Sequence, residues 1–440
     1  MAAEKFKHTT VTAVVIANMV GTGVFTSLGF QLMDLRSGFV LLMLWAIGGL
    51  AAVCGAMTYA ELGAAMPRSG GEYNFLARIY HPAAGFVSGW VSATIGFAGP
   101  TALAAMTFAA YATSVMPGET SDWLEKTLAC GLVIVLTIVH SSNRRSSGGL
   151  QVIFTILKVA VIAGFCLFAY FLVDAPQPVT FLPVSGDGAL LTGSAFAVSL
   201  IYVSYAYTGW NAATYLSSEL ENPQRTLPII LLTGTLVVTL LYVALNFTFL
   251  YVAPMDDMVG QVEVGYIAAE SAFGGPGGRF AGLIMASLLI STVSAMTIAG
   301  PRVLQVVGED FPALRLLART NSNGLPATAI FVQSAATILF ILSSTFESIL
   351  VFAGFTLALN SFATVLGVFV LRRQQPDLPR PYKTFLYPLT PLIYLALTGW
   401  TLYFVLINRP VEGLFGLGII ALGLVLYFLS YFKSRSYQAT

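Results

Sequence analysis

Apolar runs of about 20 residues recur along the whole 440-residue chain, separated by short polar connections. A run of that length, wound as a helix rising 1.5 Å per residue, crosses a hydrocarbon core of about 30 Å. Only 9% of the residues are charged and 57% are hydrophobic, a balance with which no water-soluble domain of this size covers its surface. The solvent for most of the chain is therefore lipid. The expected fold is an all-α polytopic membrane protein, and helices rather than a barrel fit the length of the runs.

The apolar runs give twelve spans, approximately 9–33, 37–62, 82–115, 123–140, 149–173, 189–218, 227–253, 279–307, 327–344, 347–372, 384–408 and 411–432. No connection exceeds about 25 residues, which leaves no room for a soluble catalytic or nucleotide-binding domain. Residues 1–440 read as one membrane domain. The stretch after Lys5, Lys7 and His8 runs on without an A-x-A cleavage pattern, so it reads as the first helix and not as a signal peptide. Cys54, Cys130 and Cys166 all fall inside spans, as packing residues rather than a disulfide framework.

Charge sets the expected orientation. With the N-terminus inside, the inside connections collect Arg68, Arg78, the pairs Arg144–Arg145 and Arg372–Arg373, and further basic residues up to Arg435. Outside stand Arg36, Lys126, Arg279 and Arg409. By the positive-inside rule both termini are expected in the cytoplasm, with the protein in the cell's inner (plasma) membrane. The outside connection 254–278 holds an amphipathic piece, Val262 to Phe273, that reads equally as a short helix over an entrance or as a solvated loop. The inside connection from Pro67 to Arg78 mixes paired glycines, aromatics and arginines, and reads as an interfacial helix.

Two spans carry interruptions at similar depth. Span 1 has Gly21-Thr22-Gly23 at its middle, and span 6 has Tyr205-Ala206-Tyr207-Thr208-Gly209-Trp210-Asn211. A single membrane glycine usually marks close helix packing, but two matched interruptions point to unwinding. They open two groups of five helices, 1–173 and 189–372, with 384–432 left over as two peripheral helices. An odd number of spans per group inverts the second group relative to the first, which is the inverted-repeat transporter plan. At such breaks the N–H groups of a half-helix face an anionic group and released carbonyls bind a cation, so one gap recognises a zwitterion such as an α-amino acid.

Lys158 lies well inside span 5, its Cα roughly 13 Å from the span's start and close to the midplane. A charge there costs at least about 2.5 kcal/mol on insertion scales. Three readings stand: an internal ammonium in place of a coupling cation, a lysine that exchanges protons during the cycle, or a side chain that snorkels to the surface. No Asp or Glu lies mid-span, Glu61 and Glu219 being at span ends, so a carboxylate-based sodium or proton site is not expected.

Other functional classes fit less well. An enzyme needs a clustered nucleophile, acid/base pair or metal set, and His8, His81 and His140 all lie near the inside ends of spans. No cofactor, metal or nucleic-acid partner is expected. A non-transporting amino acid sensor would keep the same pocket and add a signalling appendage. Polyamine substrates would call for an acid in the broken regions, and none is visible there. Ser291, Thr292 and Asn360 are polar candidates for the remaining walls.

The residues also carry a resemblance. Gly21-Thr22-Gly23-Val24-Phe25 is similar to the G-[ST]-G-[IV]-F motif of the amino acid-polyamine-organocation superfamily. Arg68-Ser69-Gly70-Gly71-Glu72-Tyr73 after span 2, and the stretch from Tyr205 to Pro228, resemble its L-type amino acid transporters, and make this chain look like a prokaryotic relative of them. The resemblance runs from span 1 through span 10 and implies the LeuT-type fold of ten core helices. It also implies substrate residues. The amides around Thr22, Gly23 and Val24, beside Gly21, would take the carboxylate, and the carbonyls of Met19, Tyr205 and Thr208 the amine. Tyr205 would be the aromatic lid, and Asn211, after Gly209, a polar gate residue. Lys158 would occupy the place of a sodium ion, which implies sodium-independent exchange, with proton symport through Lys158 as the alternative. Thr208, where family members often have Gly or Asp, favours small neutral substrates. The connection between spans 3 and 4 lacks the cysteine that joins the animal light chains to a glycoprotein heavy chain, so no such disulfide-linked partner is expected.

Overall fold

The computed structural model describes residues 8–68, 70–116, 121–142, 148–321 and 324–438. Lys5, Lys7, Ser69, Arg144 and Arg145 of the sequence reading lie outside them. Among the described residues the regular elements are all helices. Ten helical stretches are long and apolar enough to cross a membrane, and two shorter apolar helices, Ser194–Ala206 and Ala327–Ser343, stand where the sixth and ninth spans are expected. Large apolar side chains such as Phe171, Leu240 and Phe280 are about 70% exposed, as on a lipid-facing perimeter. The chain is a multi-pass membrane protein.

Span 1 is two helices, α1 (His8–Met19) and α2 (Gly23–Gln31). Span 2 is α3 (Gly38–Ala65). The next connection forms α4 (Gly71–Ile79), which starts from Gly70 and Gly71 at φ 116° and 49°, left-handed values that favour glycine. Glu72, Phe75, Leu76 and Ile79 are buried, and the helix is wedged into the protein. The apolar face of this amphipathic helix packs against the protein.

Span 3 is also divided, into α5 (Pro82–Thr94) and α6 (Ala98–Ser114), an interruption the sequence reading did not anticipate. Pro100 has no N–H to offer the carbonyl of Gly96, one turn before it, so the ladder opens there. Then follow α7 (Asp122–Ser142), α8 (Gly148–Leu172), the short α9 (Asp187–Thr192) and α10 (Ser194–Ala206). Residues Trp210–Glu219 continue span 6 as a 3-10 helix, with Gly209 between at φ 99°.

After α11 (Pro223–Val252) and the single turn α12 (Met255–Met258), α13 runs from Val264 to Asp310 with a bend at Gly274. Its first segment is the short helix that the sequence left open against a loop. α14 (Ala327–Ser343), α15 (Phe346–Gln374), α16 (Leu389–Asn408) and α17 (Pro410–Gln438) complete the chain. The most extensive helix contacts pair α3 with α11 and α6 with α13. Each joins a span of the first five to its counterpart five spans later.

One buried ion cluster ties the last helices to this core. Glu61 of α3 accepts from Arg372 Nε and Nη2 of α15 at 2.8 and 2.7 Å, and from the Thr384 amide and hydroxyl, each at 2.7 Å. Arg380 stands 3.6 Å from the same carboxylate, and the Arg372 guanidinium lies 3.6 Å above the Tyr387 ring.

Candidate functional site

Glycines place the two breaks against each other. A Cβ on Gly23 would stand 2.6 Å from Ala206 Cα, and one on Gly209 would stand 2.7 Å from the Asn18 carbonyl. The start of α2 therefore touches the end of α10, and the end of α1 touches the turn into the 3-10 helix. Gly209 is required twice over, by that contact and by its positive φ. Gly21 differs: its Cβ direction is open, with Met19 O the nearest atom at 3.9 Å.

The first N–H groups of α2, from Gly23 onward, have no carbonyl inside their own helix. The positive end of the helix dipole adds to them, and together they make an anion-receiving end. The carbonyls at the facing helix ends are partly used. Met19 O accepts from Gly21 N at 2.7 Å and lies 2.5 Å from the Tyr242 hydroxyl, which also stands 3.1 Å from Ala206 O. Tyr205 O accepts from Thr208 N and Thr208 Oγ1 at 2.9 and 2.7 Å. Of the three carbonyls assigned to an amine, two are thus occupied in this conformation, and that of Thr208 is left.

A cavity of about 150 Å³ opens between the breaks. Met19, Gly21, Thr22, Gly23, Tyr205, Thr208, Gly209 and Asn211 all line it, so eight of the nine expected substrate residues come together. Val24 is fully buried and does not line it. Tyr205 and Thr22 face the same cavity from the two breaks, and both are buried. Beyond the gap, α2, α10 and α15 are tied together. Phe30 stacks on Phe346 at 5.6 Å, Gly29 O accepts from Gly260 N at 2.8 Å, and Glu347 joins Tyr202 to Arg409.

Lys158 does not snorkel. It is 5% exposed, and its Nζ donates to Thr292 Oγ1 of α13 at 2.7 Å. Thr292 itself lines the cavity, so an ammonium stands one side chain behind the wall. Of the other polar candidates, Asn360 touches the cavity only through Glu72, and Ser291 does not line it.

Sequence reasoning missed three contributors. The division of span 3 puts Gly96, Phe97 and Pro100 on the wall, and the Gly-x-x-x-Pro spacing was its available signal. Tyr242 reads as an ordinary membrane tyrosine until both helix ends converge on it. Glu72 comes from a connection, outside the spans searched for acids, yet its carboxylate lines the cavity and accepts from Asn211 Nδ2 at 3.1 Å. Among the described residues no group of three or more His, Cys, Asp or Glu is placed to hold a metal.

Paired helix ends around a buried cavity are a transporter's geometry, and comparison with known proteins agrees. The profile of the amino acid permease family matches residues 6–429. The chain belongs to this family. Among curated relatives, the permease is 28% identical over 443 residues to the large neutral amino acids transporter small subunit 2 of Homo sapiens, covering 94% of this chain and 78% of that one. It is 25% identical to the b(0,+)-type amino acid transporter 1 of Mus musculus, covering 94% and 85%. It is 27% identical to the Asc-type amino acid transporter 1 of Mus musculus, covering 95% and 79%. The relatives bear the names of transporters, not enzymes, and the permease's place in the amino acid-polyamine-organocation superfamily follows.

Proposed function

We propose that this permease is a sodium-independent transporter that exchanges small to medium neutral L-amino acids by alternating access. The observation that carries the reading is the cavity itself, with the start of α2 on one side and the Thr208 carbonyl on the other. Such a gap offers N–H groups to a carboxylate and a carbonyl to an ammonium at once. The substrate residues are Met19, Gly21, Thr22, Gly23, Val24, Tyr205, Thr208, Gly209 and Asn211, with Met19 acting after Tyr242 has let go of its carbonyl. Thr208 narrows the cavity and favours small side chains.

Sodium independence is supported by Lys158, a fixed ammonium against Thr292 where a coupling cation would otherwise sit. The two groups of five helices form the inverted repeat, both termini face the cytoplasm, and the site of action is the plasma membrane. No disulfide-linked heavy chain is expected, because the connection between spans 3 and 4 carries no cysteine. Proton symport is a second reading favoured by the same observation, since Lys158 has no ion-pair partner among the described residues.

Reconstituted liposomes separate the two. Radiolabelled alanine, serine and leucine are followed with and without internal amino acid, and with and without sodium or pH gradients. Exchange predicts uptake that requires internal amino acid and is driven by neither gradient. Uptake into empty vesicles driven by outside acid would replace it by proton symport, and absence of flux under every condition would overturn transport of these substrates.

A further inference from the structure

Glu72 is a buried carboxylate with no counter-ion among the described residues. Its residue is 3% exposed, and among the described residues no basic side chain forms an ion pair with it. Its partners are neutral and come from three other elements. Oε1 accepts from Tyr59 of α3, from Asn211 of the 3-10 helix at 3.1 Å and from Ser361 of α15 at 2.9 Å. Oε2 accepts from Asn360 of α15.

The other titratable groups near it are the phenols of Tyr215, on the 3-10 helix, and Tyr394, on α16. Helix α5, packed along α4, carries no titratable side chain. Arg372 on α15 is engaged by Glu61. Among the described residues nothing positive therefore offsets a charge at Glu72, and burying an uncompensated carboxylate is strongly unfavourable.

A neutral acid fits the same surroundings without that cost. The hydroxyls of Tyr59 and Ser361 accept as well as donate, so either takes the acid's proton in a hydrogen bond while the two amides continue to donate to the carboxyl oxygens. Burial pushes the Glu72 carboxyl above the usual carboxylate range, against the pull of its four hydrogen bonds in the other direction. The junction Glu72 makes is also a wall of the cavity, which Glu72, Asn211, Tyr215 and Ser361 all line.

We propose that Glu72 is a proton site of the transport cycle: it is held as a neutral acid while α4, the 3-10 helix and α15 are packed together, and it releases its proton to water when that junction opens. By linkage, the packed junction is favoured by acid and its opening by alkali, because the opened, hydrated carboxyl is the stronger acid. Held neutral, Glu72 adds no charge to the cavity, which suits neutral substrates. The role in a transport cycle rests on the function proposed above, whereas the proton-linked opening does not.

Hydrogen–deuterium exchange of the purified full chain in nanodiscs tests the opening without any substrate. Protection is read at 71–79 and 210–219 from about pH 5.5 to about pH 8.5, relative to amides of α7, which cancels the intrinsic pH dependence. The proposal expects wild-type protection of both segments to fall by up to about tenfold per pH unit through the titration. Glu72→Gln stays protected at every pH, and Glu72→Asp regains a pH dependence. Constant wild-type protection overturns the proposal even if no variant folds, and so does a Glu72→Gln variant that keeps the wild-type profile. In liposomes, leucine exchange by Glu72→Gln is slowed several-fold and loses its pH dependence while KM is little changed. Exchange that is absent while the protection profile holds refutes the transport reading and leaves the proton site standing.

Discussion

Gly23 and Ala206 stand in backbone contact, with 2.6 Å between the position of a Gly23 Cβ and Ala206 Cα. The neighbouring atom is backbone, which no rotamer change moves, so Gly23→Ala must drive the two breaks apart. We expect substrate binding to be abolished while the helical content is kept, as read by scintillation proximity binding of leucine and by circular dichroism. Gly21→Ala is the control. Its Cβ meets open space, and the variant should fold and melt like the wild type.

Tyr242→Phe removes one hydroxyl from between Met19 O and Ala206 O. Met19 O keeps the Gly21 amide, so the loss is that of one ordinary hydrogen bond, about 0.5–1.5 kcal/mol. The expected outcome is a lowered melting temperature in detergent, rising again when leucine is added, because the freed Met19 carbonyl becomes available to an ammonium.

Lys158→Met keeps the length of the side chain and removes the donor to Thr292. Since Lys158 has no buried acid to leave stranded, stability should be unchanged or higher. Exchange should fall by about tenfold or more, the effect of losing one charge-assisted hydrogen bond of about 1.5–3 kcal/mol. Initial rates in liposomes and a thermal melt read the two arms separately.

Glu61→Ala strips Arg372 and Thr384 of their shared acceptor. Breaking a buried pair from one side costs about 3–5 kcal/mol. A melt of the purified protein should show that loss, and proteolysis should show α16 loosened first, because Glu61 anchors the segment that leads into it.

The two breaks were legible because glycine in the middle of an apolar run has few other reasons to be there. Even so, the sequence placed all three glycines without separating their roles: Gly23 is a close-packing contact, Gly209 a left-handed turn, Gly21 a piece of cavity wall. Lys158 was legible by cost, and the structure chose among its readings by supplying Thr292. What stayed hidden depends on contacts between distant segments. Glu72 sits in a polar connection that hydropathy assigns to water, and only the packing of α4 against α15 and the 3-10 helix takes it into the protein. Tyr242 has no local signal at all. The interruption at Gly96–Pro100 had one, but proline near the middle of a span competes with proline's common occurrence in membrane helices.

The central claim, that an amino acid is held between the breaks by both its charged ends, is met most directly by a structure determined with bound L-leucine. The account predicts the carboxylate within hydrogen-bond distance of the amides at Thr22–Val24, and the ammonium at the Thr208 carbonyl with Met19 O released from Tyr242. A leucine bound elsewhere, or one whose carboxylate turns away from α2 toward Lys158, would contradict it.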